Sequence, residues 1–216
     1  MQKKINISEF IMINQELANK INCLLDKGVT CGFSKDPKPG EMCLEQVVSY
    51  ALGEDITDEP SCVGYEVRWF VTRLNDRNWS SPSARAEGMR DLAIAQLGSN
   101  SLDQKEFLEK LSFAVFTKIF PAMFRELGEE RWKKEIKSLE EAKDLEEARK
   151  AASDVGFAYA AYDDDRYRYV AHASDVAYHV GYAARVSKTG DKYLKIASHL
   201  AVEVLREMKS PGCQFI

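Results

Sequence analysis

His172, Asp175 and His179 carry the sharpest chemical spacing in this chain of 216 residues. On a helix they fall within about 60° of one another, one turn apart in succession. Two imidazoles and a carboxylate so placed could hold a divalent metal such as zinc and leave positions open for other ligands. They also lie beside a stripe of Ala173, Val176 and Val180, and no further strong ligand is visible near them. The competing reading is a network at the edge of the core, in which His–Asp pairs satisfy each other and nearby Tyr hydroxyls. Asp163–Asp165 could bind a hard cation, but lacks the spaced carboxylates and glycine of a calcium loop and reads as a solvated turn.

Cys43 is the candidate nucleophile. It falls in the first turn of a helix expected over Glu41–Leu52, where the dipole can lower a thiol pKa. No histidine is near it in sequence, and Cys31, Cys43 and Cys62 are too irregularly spaced for a zinc ribbon. A buried, inert thiol is the alternative. The segment from Arg68 to Trp79 offers a different chemistry. Arg68, Trp69, Arg73, Asn75, Asp76 and Trp79 are the residue types of a recognition surface, because Arg and Trp dominate binding hot spots. The same residues could instead end a helix, with Asn75 and Asp76 taking backbone bonds and Trp79 plugging the core. His199 lies opposite an Ala197, Ala201 and Val204 stripe and reads as a surface residue.

The elements that must position these residues are helical. Leu145–Ser187 carries an apolar or small residue at every third and fourth place, interrupted only by Arg166, which is the spacing of helices packed side by side. This predicts an Ala/Tyr-rich helix or helix pair over about 144–187, with a break at Asp163–Asp165 slightly favoured. The stretch at about 103–127 has almost no polar face between Phe107 and Leu127, so it predicts a buried, central aromatic helix, kinked at Pro121.

Ser8 can cap a first helix that Gly28 closes, and Gly28–Gly40 is a loop. Helices are expected over Glu41–Leu52, Val63–Leu74, from a Ser81 cap with Pro82 to Gly98, and over Asp191–Met208 before a short tail. Glu129–Lys150 is a charge-rich helical segment. No strand-like alternation is long enough to count. The fold class is all-α: an irregular multi-helix bundle, read as one domain over 1–216 with a sub-boundary that could fall near 128–139.

Composition narrows the function. With 45% hydrophobic and 30% charged residues and a net charge of −4, the chain reads as a globular protein with interleaved charges rather than a basic nucleic-acid binder. Five cysteines, an odd number, favour reduced thiols. Without a signal peptide or an apolar run of membrane length, a soluble, cytoplasmic protein is expected. There is no P-loop, no G-x-G-x-x-G, no G-x-S-x-G, no H-E-x-x-H and no C-x-x-C.

The leading expectation is a non-enzymatic helical protein, without a cofactor, that binds a protein partner or itself, as an inhibitor, immunity or adaptor protein would. A small metal- or thiol-dependent hydrolase using His172, Asp175 and His179, or Cys43, is the alternative. Nucleic-acid binding would require Arg68, Arg73, Arg77, Arg85 and Arg90 to converge on one face.

Overall fold

Helix boundaries in the computed structural model follow the capping chemistry of the sequence; it describes residues 13–126, 128–154 and 190–216. Helix α1 (Gln15–Leu25) starts at Asn14, whose Oδ1 accepts from Leu17 N at 2.9 Å. The expected Ser8 cap lies outside the described residues. Helices α2 (Leu44–Leu52) and α3 (Tyr65–Asn75) follow. Helix α4 (Pro82–Ala95) opens on Ser81 and Pro82 as expected, with Ser81 Oγ accepting from Ala84 N at 3.0 Å.

Asp103 caps α5 (Gln104–Ala114), and the helix continues through a π-helical turn at Val115–Ile119 into α6 (Phe120–Glu126). Helices α7 (Glu129–Glu140), α8 (Leu145–Asp154) and α9 (Lys192–Glu207) complete the described helices, and a 3₁₀ turn at Pro211–Phe215 follows α9. Among the described residues the fold is all-α, a multi-helix bundle with no strand.

The aromatic helix is buried as its composition requires. Phe107, Phe116, Phe120 and Phe124 are all at or below 5% exposure, and each such side chain contributes about 1.5–3 kcal/mol when removed from water. Just before Pro121 the helix carries a π turn. Proline offers no N–H to the preceding turn, and the chain widens there to i→i+5 bonding, with Phe120 N donating to Val115 O. Gly128, at φ +117, reverses the chain in a conformation that a side chain would strain. The reversal lays α7 along α6 and stacks Trp132 on Phe124 with ring centroids 4.9 Å apart.

The centre of the bundle is shared, which corrects the expectation that the aromatic helix alone is central. Helix α4 packs against α1, α2, α3, α9 and the C-terminal 3₁₀ turn, whereas α5 packs against α3, α8 and α9. Small residues on α4 make this possible. A Cβ at Gly88 would lie 2.4 Å from the Trp79 ring, so only glycine lets Trp79 close against this helix.

The start of the Ala-rich seam lies where its pattern places it. Ala148, Ala151 and Ala152 of α8 are buried, and α8 packs against α5, the π turn and α7. The remainder of the seam from residue 155 to 187, and with it the question of one helix or two, lies outside the described residues. No helix among the described residues is long and apolar enough to cross a membrane.

The C-terminal tail is an element that sequence reasoning missed. Ser210 Oγ donates to Ala95 O at 2.6 Å and Gly212 N donates to Leu97 O at 2.9 Å, so the tail satisfies carbonyls left open at the end of α4.

Candidate functional site

Helix α3 divides cleanly between core and surface. Val67, Phe70, Val71 and Leu74 point inward with 0% exposure, while Tyr65, Arg68, Trp69 and Arg73 share the other side at helical spacing. Its first turn is anchored from below: Gly64 N donates to Ser99 Oγ at 2.9 Å and Glu66 N to Gln104 Oε1 at 3.1 Å.

The outward residues form a ladder of cations and rings. The Arg68 guanidinium lies 5.5 Å from the Tyr65 ring, Tyr65 meets Trp69 edge-on at 6.0 Å, and Arg73 lies 5.2 Å from the Trp69 ring. Arg68 also pairs with Glu59 at 3.0 Å. Each cation–ring contact at an exposed site is worth about 0.5–1 kcal/mol, enough to restrict rotamers before any partner arrives. Tyr65 is 50% exposed, whereas the half-buried Trp69 has its indole N–H buried, without a hydrogen-bond partner among the described residues.

Beyond Arg73 the same helix borders a recess of about 60 Å³ lined by Gly32, Phe33, Cys43, Leu44, Glu45, Asp58, Thr72, Asn75 and Asp76. This is far below the roughly 300–1,000 Å³ of small-molecule sites. Side chains from α2 and α3 hold its rim. Asn75 Oδ1 accepts from Leu44 N at 3.3 Å, and its Nδ2 donates to Thr30 O at 3.0 Å. Asp76 Oδ1 accepts from Gly32 N at 2.9 Å. Gln46 Nε2 donates to Ser34 O at 2.6 Å, and its Oε1 accepts from Cys43 N at 3.2 Å. The loop that composition marks as irregular is therefore tied down at several points. It presents Phe33 at 57% exposure beside the recess.

Burial dominates the electrostatics of the recess. Cys43 is the N-cap of α2, one residue before the helix, and it is 4% exposed. Its thiol is pushed up to about 12 by burial, with backbone donors from Gln46 and Glu45 opposing too weakly to reverse the shift. Burial here opposes the activation that a helix start can give a thiol.

Glu45 is 1% exposed, and burial holds its carboxyl well above the usual carboxylate range despite the Gln96 amide and the Arg68 charge. Gln96 Nε2 donates to Glu45 Oε2 at 3.2 Å, while Glu45 Oε1 has no hydrogen-bond partner among the described residues.

The six residues of the expected recognition surface separate. Arg68, Trp69 and Arg73 lie on the ladder, and Asp76 is exposed at the recess. Asn75 and Trp79 are corrected to interior positions: Asn75 is 1% exposed and Trp79 is 7% exposed with its indole N–H on Leu74 O at 3.0 Å. Both take the alternative role, closing a helix end and filling the core, because capping leaves no polar atom for a partner.

The cations of the nucleic-acid alternative do not share one open face. Arg85 is buried and donates to Val29 O at 2.9 Å, and Arg90 is engaged by Asn22 and Asp26. His199 is exposed and lies 3.4 Å from Glu203, as a surface residue should.

His172, Asp175, His179 and Asp163–Asp165 lie outside the described residues. Among those described, no cluster of His, Cys, Asp and Glu gathers at metal-binding distances. Sequence reasoning missed Tyr65, Phe33 and Glu45. The signal for Tyr65 was present, since it stands one helical turn before Trp69. Glu45 gives no such signal, because helical periodicity assigns it away from the Leu44, Val47, Val48 and Ala51 face. No protein-family model, curated protein or solved structure matches the chain.

Proposed function

We propose that this chain is a non-enzymatic binding protein that engages a protein partner through the outward face of α3. The observation that carries the reading is the ladder of Tyr65, Arg68, Trp69 and Arg73, in which arginine and aromatic side chains hold one another in place on a rigid helix. Tyr, Trp and Arg supply most of the energy at protein interfaces, and an ordered side chain loses less entropy on binding than a free one. Val67, Phe70, Val71 and Leu74 fill the core beneath the face. A thiol hydrolase is a poorer fit, because a thiol held up to about 12 is protonated near neutral pH.

The test is comparative capture from an extract of the source cells, with the full chain and the variants Trp69→Ala and Arg73→Ala, beside sedimentation velocity of the purified protein. Trp69→Ala is expected to weaken the captured partner by about 2 kcal/mol, roughly thirtyfold, with circular dichroism unchanged. A second copy of the chain as the partner would appear as concentration-dependent sedimentation lost in the same variants. A strict monomer whose captured proteins are identical for wild type and both variants would overturn the reading.

A further inference from the structure

We infer that the protein segment docking on α3 is acidic, placing a carboxylate on the Arg73 guanidinium and an apolar side chain against Phe33. The inference rests on the partner-binding reading and names the chemistry of that partner.

Arg73 is exposed, and its guanidinium makes no ion pair or hydrogen bond among the described residues. Arg68, on the same ladder, is already matched by Glu59. The helix dipole favours a cation in the last turn of α3, which accounts for a charge at Arg73. It does not account for the Trp69 ring 5.2 Å away, which steadies the guanidinium in one place. A guanidinium held against a ring keeps N–H donors for a planar acceptor. A carboxylate is the side-chain group that meets them with two parallel bonds.

Phe33 supplies the apolar half. It is 57% exposed, the most exposed of the large apolar side chains among the described residues. A loose loop is not the reason, because the chain is bonded on both sides of it. Gly32 N donates to Asp76 Oδ1 at 2.9 Å, and Ser34 N donates to Gln46 Oε1 at 3.3 Å. A ring carried on a fixed backbone loses less freedom when a partner covers it than one on a free loop. Phe33 and Thr72 line one recess, so the loop brings this ring beside the turn of α3 that carries Arg73.

The surroundings favour a single carboxylate over a polyanion. Asp58 and Asp76 line that recess, and Glu59 stands beside Arg68. A nucleic acid or an anionic membrane would bring phosphates against these carboxylates. A protein segment can set one acid at Arg73 and apolar atoms elsewhere.

Selection of a random-peptide display library on the full chain tests this. Enriched peptides are expected to carry Asp or Glu near an aliphatic or aromatic residue. In fluorescence anisotropy with the best enriched peptide, Arg73→Ala and Phe33→Ser should each weaken binding about tenfold, with circular dichroism unchanged. Neither residue belongs to the core, so both variants should fold. Replacing the peptide's acid by its amide should cost the wild type the same factor and cost Arg73→Ala almost nothing, because the two groups meet. Arg73→Lys should recover only part of the loss, since an ammonium lacks the planar fork.

Enriched peptides without acids, binding indifferent to Arg73→Ala, an amide penalty that persists in full in that variant, or a selection that enriches nothing would overturn the inference. So would retention on immobilised heparin that is lost in Arg73→Ala, which would assign the face to a polyanion. Peptides lacking acids that still need Trp69 would leave α3 as the docking face, so the two readings fail separately.

Discussion

At the start of α2 the helix dipole and burial act in opposite directions on Cys43 and Glu45. The dipole favours anions there by about 0.3–1 kcal/mol when exposed, whereas desolvation of a buried group outweighs that. Burial therefore raises both groups above their ordinary ranges, Cys43 to about 12. For Glu45 this has a consequence for stability. The folded chain holds the proton to higher pH than the unfolded chain, whose carboxyl titrates at the ordinary 4.5. The stability so gained is complete below that value and is lost as pH rises through the folded pKa. Glu45→Gln cannot ionise, so its melting temperature should rise relative to wild type as the pH is taken from about 4 to about 8. Scanning calorimetry across that range checks it, and a difference that stays constant with pH would contradict the assignment. The buried carboxyl thus costs stability as pH rises above the ordinary carboxylate range.

At the level of elements, local chemistry was the most legible. Ser81 with Pro82 marks a helix start because a cap acts on amides within three residues, and it stands where the sequence places it. Pro121 was legible as a disturbance but not as its form, since a π turn depends on which neighbours the wider helix must meet. The C-terminal tail was illegible because its bonds reach back more than a hundred residues, from Ser210 to Ala95. Its fit against α4 is tight. A Cβ on Gly212 would come within 1.9 Å of Ile94 O, a backbone atom that cannot swing aside. Gly212→Ala is therefore expected to lift the tail and cost about 1–3 kcal/mol, the usual scale of overpacking, measured as a lower urea midpoint. An unchanged midpoint would show that the tail contributes nothing to the bundle.

Across the whole molecule, the all-helical class and the buried aromatic helix were readable because periodicity and near-continuous apolar character report burial directly. The candidate site was readable only in part. The Arg68–Trp79 segment presents one composition to the eye, yet the helix sorts it into an outward ladder and an inward end. Arg68, Trp69 and Arg73 stay on the outward side of the helix, while Asn75 and Trp79 are consumed by a cap and by the core. Phe33 and Glu45 join the same region through loop ties and helix packing that no local pattern encodes. The central claim is that the outward face of α3 meets a protein. Site-specific photo-crosslinking in the source cells tests it most directly, with p-benzoylphenylalanine replacing Trp69 and, as a control, Lys137 on the exposed side of α7. The expected result is a discrete crosslinked adduct from position 69 that is lost when Arg73→Ala is added, with none from position 137. No adduct at position 69, or the same adducts from both positions, would contradict the claim.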